Sequence, residues 1–478
     1  MLIALLIYFA VLLIVARLTG KGSNDAFFRA GRKSPWPLVA FGMIGASISG
    51  LTFIGVPGWV MTTDMTYMQM CIGFIFGYII VAFILLPLYY KHNLTSIYTY
   101  LSHRFGNVTY KTGASFFILS KLLGAAAKFY IVVQILQLCI ADQYGIPYTV
   151  TAIITLLFIW AYTRRSGIRT LVWTDALQTF ILLLALVVIL VQVCMKLDFS
   201  AADAWAAVWN DPHAHMFEFS DWTSKQHFWK QFLSGVFVVI VMTGLDQDMM
   251  QKNLTCKTLK DAQKDMCSYG IMFVPVNLLF LALGILLLML YGQLGMEVPT
   301  QGDALLSNVI MSGTLGQVAL ICFGIGIVAS AFSSADSSMT ALTTSICIDI
   351  LQKEHDERIR KRIHMMVMLA FLLCTLAFHA LGSGSVMDLI YTLVSYTYGP
   401  LLGLFAFGMF TKWQVNDKLT PYIAVASPVI CYIIDYTTLQ LTGYKFGYEM
   451  LMFNGLLTFI GFWAIRCGKS YPSPPQMI

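Results

Sequence analysis

Charge is what this sequence has least of. Only 11% of its 478 residues are Asp, Glu, Lys or Arg, where a soluble globular chain carries roughly 25%. Set beside 58% hydrophobic residues and a mean hydropathy of +0.73, that scarcity excludes a water-soluble enzyme, a disordered chain and a nucleic-acid binder. It leaves a polytopic membrane protein. Long polar stretches are missing too, so no kinase, nucleotide-binding or hydrolase module hangs from the apolar runs. No GxxxxGK[ST] phosphate loop occurs. The 10 cysteines form no CxxC or Cys/His spacing and read as small buried hydrophobes. The 8 histidines lack ligand spacing and the facing pairs within spans that haem would need.

A bilayer-spanning helix needs about 20 predominantly apolar residues. That window predicts thirteen spans, at 1–17, 36–61, 66–90, 114–141, 146–163, 170–195, 229–250, 269–292, 315–350, 363–382, 386–411, 420–440 and 448–466. The first lacks a basic leader and a small-residue cleavage site, so it is expected to be a retained helix. The 315–350 stretch exceeds one simple span and is expected to continue as helix into the cytoplasm. Alternating the connections assigns 24 of the 30 Lys and Arg to one side, including Lys252 in the 252–264 segment. The positive-inside rule makes that side cytoplasmic, with the N-terminus outside and the C-terminus inside. The net charge of +6 therefore concerns orientation, not a polyanionic partner.

Two spans are unusual. The 36–61 span holds Gly42, Gly45, Ser47, Ser49, Gly50, Thr52, Gly55, Pro57 and Gly58. This composition fits close packing through small residues, or a discontinuous helix whose freed carbonyls coordinate a cation. In 315–350, Ser330, Ser333, Ser334 and Ser337 recur at i, i+3, i+4 and i+7 and share one helical face, with Asp336 beside them. Asp175 puts a second carboxylate into the 170–195 span. Each such carboxylate costs roughly 2.5–3.5 kcal/mol at the bilayer centre on insertion scales, and Lys128, inside 114–141, is available as a basic partner. A purely structural Asp–Lys pair and a site for a hard monovalent cation both fit. Sodium suits the carbonyl, hydroxyl and carboxylate oxygens on offer, whereas proton coupling would want a His or Glu relay that is absent.

With these residues in view, the chain resembles the sodium:solute symporters, the family of the sodium–glucose, proline and sialic-acid cotransporters. The resemblance covers essentially the whole chain. It rests on Gly-Ala-Ser-Ile-Ser-Gly-Leu-Thr-Phe-Ile-Gly-Val-Pro-Gly at 45–58, Ser-Gly-Ile-Arg-Thr-Leu-Val-Trp-Thr-Asp-Ala-Leu-Gln at 166–178 and Gly-Leu-Asp-Gln-Asp-Met-Met-Gln-Lys-Asn-Leu at 244–254. Ser-Ser-Ala-Asp-Ser at 333–337 and Gly-Pro-Leu-Leu-Gly-Leu-Phe at 399–405 complete the set. One departure, Ser166-Gly167 where the family more often has a Gly pair, falls in a turn away from the site.

The resemblance implies an all-α integral membrane fold with an inverted five-helix-repeat core. The repeats would be 36–195 and 229–411, flanked by 1–35, an outer loop at 196–228 and C-terminal helices with a tail at 412–478. The first helix of each repeat would be discontinuous, the second breaking at Ser234-Gly235. It also implies a sodium site from the carbonyls of Gly45, Ile48 and Ser330 with the hydroxyls of Ser333 and Ser334. A second sodium site would use Asp175, Ser333, Asp336 and Ser337. Ser47, Ser49 and Thr52 match substrate positions, Gln69 and Tyr396 are further candidates, and Lys128 falls where the sialic-acid transporters place a basic residue for the substrate carboxylate.

The expected activity is sodium-driven import of a sugar or sugar acid by alternating access in the cell membrane. Sodium is the coupling ion, with no cofactor, nucleic acid or obligate protein partner. The rival readings are a symporter for an amino acid or other carboxylate, a membrane sensor without turnover, and a lipid-embedded enzyme. The last would want an interfacial His or paired carboxylates that the sequence does not offer.

Overall fold

The computed structural model describes residues 2–20, 23–48, 50–139, 141–164, 167–381 and 386–468. Of the residues singled out above, Ser49 and Ser166 lie outside them.

Most of the described chain is helical. After α1 (Leu2–Thr19), the short α2 (Asn24–Arg29) starts at Ser23, whose hydroxyl accepts the Ala26 N–H. Pro35 and Pro37 then open α3 (Trp36–Ser47), which stops where Ile48 turns extended, and α4 (Gly50–Thr63) resumes at a 58° bend. Next, α5 (Tyr67–Ile80) runs through a π-helical turn into α6 (Leu86–Lys91), followed by α7 (Thr99–Arg104) and the long α8 (Asn107–Cys139). The first half closes with α9 (Tyr148–Thr163) and α10 (Ile168–Lys196). A capping box between Ser200 and Asp203 starts α11 (Ala201–Asn210) in the segment that follows.

The second half opens with another broken helix. α12 (Phe228–Val239) passes through a π-helical turn at Ile240–Gly244 and bends by 71° into α13 (Gln247–Asn253). Asp246 makes the second start possible, because its carboxylate accepts the Asp248 N–H at 2.8 Å. Then come α14 (Leu259–Leu294), α15 (Ala304–Met311), α16 (Gly316–Ser345, prolonged by a π-helical turn to Ile350), α17 (Glu357–Leu381), α18 (Val386–Phe410), α19 (Thr420–Thr442) and α20 (Glu449–Ala464). Two-residue strands, β1 (Gln414–Val415) and β2 (Arg466–Cys467), pair antiparallel.

The second break corrects the expected position. Ser234 and Gly235 lie inside the continuous α12, and Gly235 serves packing. A Cβ there would collide with the Met70 carbonyl and come within 3.2 Å of Gly73 Cα, so the missing side chain lets α12 lie against α5. In a bilayer, where lipid is as apolar as Leu, such close backbone approach is a main source of helix association. The chain breaks instead where the π-helical turn ends and a new N-cap is available.

Among the described residues, seven helices are long and apolar enough to cross a membrane, or up to nine if each bent pair is one span. The apolar helices α1, α9 and α20 are shorter. The exposed side of α10 is what lipid requires: Phe180, Leu184, Val187 and Val191 recur along one face, each about half exposed. Its opposite face buries Asp175, Gln178, Thr179, Leu182 and Leu186. Helix contacts recur between the two halves: α10 packs on α16 as α18 packs on α8, and α4 packs on α14 as α12 packs on α5.

Candidate functional site

Both broken helices and the serine face of α16 meet near the middle of the bundle. Where α3 stops, the Ile48 N–H caps the Ile44 carbonyl at 3.0 Å, and the Ile48 carbonyl accepts the Ser330 hydroxyl at 3.0 Å. Gly45 seats this end against α10. Its N–H donates to Thr179 Oγ1 at 3.1 Å, and a Cβ at Gly45 would collide with the Thr179 side chain. The last carbonyls of a helix lack intrahelical partners, so this end presents oxygens. Across from it, Ser334 Oγ is buried and finds no hydrogen-bond partner among the described residues. A carbonyl end and an unpartnered hydroxyl are oxygen donors of the kind a sodium ion takes, and these residues fit the ion.

The second predicted ion site is arranged differently. Asp175 accepts the Ser333 hydroxyl at 2.7 Å on Oδ1, and Lys252 Nζ lies 2.8 Å from its Oδ2. Asp336 accepts Tyr162 OH at 2.5 Å and the Ser337 hydroxyl at 3.3 Å. Lys128 is therefore not the partner of these carboxylates; Lys252 and Tyr162 are. This also corrects the assignment of Lys252 to a cytoplasmic connection, since its side chain is only 2% exposed within the bundle.

From Asp175 an alternating chain of charges leads toward the central cavity. Lys252 Nζ is also 4.0 Å from Asp248, which in turn pairs with Lys121 at 2.8 Å. Lys121 bridges on to Asp246 at 3.0 Å, and Asp246 accepts Tyr398 OH at 2.8 Å. Within the membrane such charges persist only when paired, and each member of this chain has an opposite neighbour.

The cavity itself encloses about 190 Å³ between α3–α4, α5, α8, α12–α13, α14, α16 and α18. Of the predicted substrate residues, Ser47, Thr52 and Lys128 line it, as does Ser334. The Ser47 hydroxyl is hydrogen-bonded to Tyr269 OH, which accepts from Tyr78 OH at 2.7 Å. Phe74, Val238, Met242 and Phe273 supply an apolar wall, while Ser120, Thr243 and Ser338 add hydroxyls. Lys128 makes no ion pair among the described residues and lines the wall as a cation.

Gln69 and Tyr396 do not line this cavity. The Gln69 amide is engaged by the 197–228 segment, donating to the Gln226 carbonyl at 2.8 Å and accepting the Glu218 N–H at 3.0 Å. Tyr396 faces a separate cavity of about 340 Å³ with Trp59, Gln226 and Lys445, its hydroxyl donating to Asp435 at 3.2 Å. Tyr67 borders both cavities. The residues that sequence reasoning missed are Lys121, Tyr162, Asp246, Asp248, Lys252 and Tyr398. A signal existed for three of them: Asp248 and Lys252 stand at i, i+4 just after Asp246, at the end of the apolar 229–245 run.

Comparison with known proteins agrees with this architecture. Residues 27–418 match the model of the sodium:solute symporter family. The chain is 24% identical over 449 residues to a sodium/sialic acid symporter of Aliivibrio fischeri, covering 91% of this chain and 88% of that one. It is 25% identical over 403 residues to the human sodium/iodide cotransporter, covering 82% of this chain but only 62% of that longer relative. Among solved structures, a Na+-coupled sialic acid symporter in a substrate-bound outward-open state shares the fold, with a TM-score of 0.78 at 21% identity and 96% of each chain covered.

Proposed function

The chain belongs to the sodium:solute symporter family, membrane transporters and not enzymes, and from that premise we propose that its solute is a small organic anion, a sugar acid such as sialic acid before others. The observation that carries this reading is Lys128. Its ammonium lines the central cavity without a carboxylate partner among the described residues, while the neighbouring Lys121 is held by Asp246 and Asp248. A cation at this depth without an ion-pair partner is costly, and a substrate carboxylate offsets that cost. Hydroxyls of Ser47, Thr52, Ser120, Thr243 and Ser338 favour a polyhydroxylated acid over a bare anion. The two relatives are in keeping with this reading, since iodide and sialic acid are both anions.

Sodium would bind the α3–α4 break through the carbonyls of Gly45, Ile48 and Ser330 with Ser334 and the oxygen of Ser333. By joining that break to α16 it would order the cavity wall on which Ser47 and Thr52 sit. It favours the substrate-binding arrangement only to the extent that it binds that arrangement better than the others. Two inverted repeats at 36–195 and 229–411 are supported by the recurring helix contacts of the two halves. Thirteen spans with the N-terminus outside are supported by the Lys and Arg asymmetry.

The test is uptake into proteoliposomes under an inward sodium gradient, with sialic acid, uronates, hexoses and proline as competing solutes. An acid should accumulate, and Lys128→Ala should raise its half-saturating concentration about 10- to 150-fold, the range for a hydrogen bond to a charged group. Accumulation of neutral solutes only, or undiminished acid uptake in Lys128→Ala, would overturn the reading. An amino-acid substrate would appear as competition by proline.

A further inference from the structure

Both oxygens of Asp175 are occupied by this chain's own groups: Oδ1 accepts the Ser333 hydroxyl at 2.7 Å, and Oδ2 faces Lys252 Nζ at 2.8 Å. The carboxylate is 1% exposed and the lysine 2%. Asp336, the other carboxylate of the region, has one oxygen on Tyr162 OH and the other on the Ser337 hydroxyl. The carboxylates expected to hold a second sodium ion thus already face a cation or hydroxyl donors, Asp175 Oδ2 and Lys252 Nζ meeting as an ion pair without a hydrogen bond. Around the α3–α4 break, by contrast, Ser334 Oγ is buried and finds neither a hydrogen bond nor a charged partner among the described residues.

A lysine ammonium and a sodium ion carry the same charge and seek the same oxygens. They compete for one place beside Asp175, and the ammonium is tethered there. The bend at Leu245–Asp246 points α13 so that Lys252 reaches α10, while Asp248, one turn earlier at 4.0 Å, steadies its far side. Admitting an ion would push the ammonium off its carboxylate within a buried region, leaving a charge unpaired. The second site does not fit sodium in this chain.

We propose that Lys252 is a built-in substitute for a second coupling cation, so that this symporter moves one sodium ion per transport cycle. A consequence, resting on the anionic-solute reading above, is that one sodium ion with one monovalent anion carries no net charge. Uptake is then driven by the sodium gradient alone and does not respond to membrane potential.

Radiosodium binding to the purified full chain tests this without a known solute. The wild type should saturate at one ion per chain with a Hill slope of one. Ser334→Ala should lose that binding at the same ion concentration, with no residual site. Lys252→Ala should bind a second ion, and adding Asp175→Asn should remove it again. A wild type that binds two ions, a Ser334→Ala that retains one, or a folded Lys252→Ala that still binds one overturns the proposal. If Lys252→Ala does not fold, the first two measurements decide alone. In proteoliposomes, wild-type uptake of labelled sialic acid should be unchanged by an inside-negative valinomycin potential, and stimulated by it in Lys252→Ala. Absence of any sialic acid uptake would count against the anion reading while leaving the ion count to stand or fall separately.

Discussion

Replacing Ser334 by Ala should change stability and ion affinity in opposite directions. The Ser334 hydroxyl is buried and finds no hydrogen-bond partner among the described residues. A buried polar group left unsatisfied costs about 1–3 kcal/mol, so deleting it should make the sodium-free protein more stable by up to that amount. At the proposed sodium site the same deletion removes one oxygen ligand from the ion. A hydrogen bond to a charged group contributes about 1.5–3 kcal/mol; taken as a guide to one lost ligand, that is about 10- to 150-fold in sodium affinity. At an ion concentration of about 100 times the wild-type dissociation constant, binding stabilises the wild type by about 2.7 kcal/mol. After a hundredfold loss of affinity the same concentration adds only about 0.4 kcal/mol. Thermal unfolding in choline chloride against increasing sodium chloride therefore gives curves that cross, with the variant ahead without sodium and behind at saturation. A variant that unfolds earlier than wild type in choline, or that keeps the wild-type sodium dependence, would refute the placement of the ion.

Other expectations follow from the same geometry. Ser333→Ala should destabilise even the sodium-free protein, by about 1.5–3 kcal/mol, because that hydroxyl donates to the buried Asp175 carboxylate; its choline melting curve checks this. Gly45→Ala should abolish sodium-dependent uptake, since its Cβ would collide with the Thr179 side chain and come within 3.0 Å of Thr179 Cα; size-exclusion yield and uptake read the two consequences. Lys121→Met should cost about 3–5 kcal/mol by stranding Asp246 and Asp248, measured as a loss of thermal stability that Lys121→Arg partly restores. Gln69→Leu should leave sodium affinity unchanged but speed proteolysis of the 197–228 segment, because its amide holds Gln226 and Glu218.

Much of the site was legible in local patterns. The dense Gly, Ser and Pro of 36–61 fitted close packing or a broken helix, the resemblance implied the break, and the chain turns extended at Ile48. The i, i+3, i+4, i+7 spacing of serines on α16 put them on one face, and that face meets the break. Lys128 was conspicuous as a cation in an apolar run, and it lines the cavity. Less legible was Gly235, because glycine serves helix breaks and close packing alike; only the proximity of Met70 and Gly73 distinguishes the two. Gln69 and Tyr396 were polar residues on the right helices, yet their partners, Gln226 and Asp435, come from other parts of the chain and draw them outward.

What the sequence by itself determined is the solvent in which this protein lives and the irregularity of its first core helix, whereas the second break falls at Leu245–Asp246 and not at Ser234-Gly235. Both follow from short-range physics: twenty apolar residues need a bilayer, and clustered glycines and hydroxyls weaken the helix that contains them. Only the tertiary structure decided how the buried charges pair. Asp175 could have met Lys128 or a metal ion, and it meets Lys252 because a 71° bend aims α13 at α10. Opposite charges attract at any sequence separation, so composition can say that a buried carboxylate needs a cation. Which cation answers depends on where the fold brings the helices together.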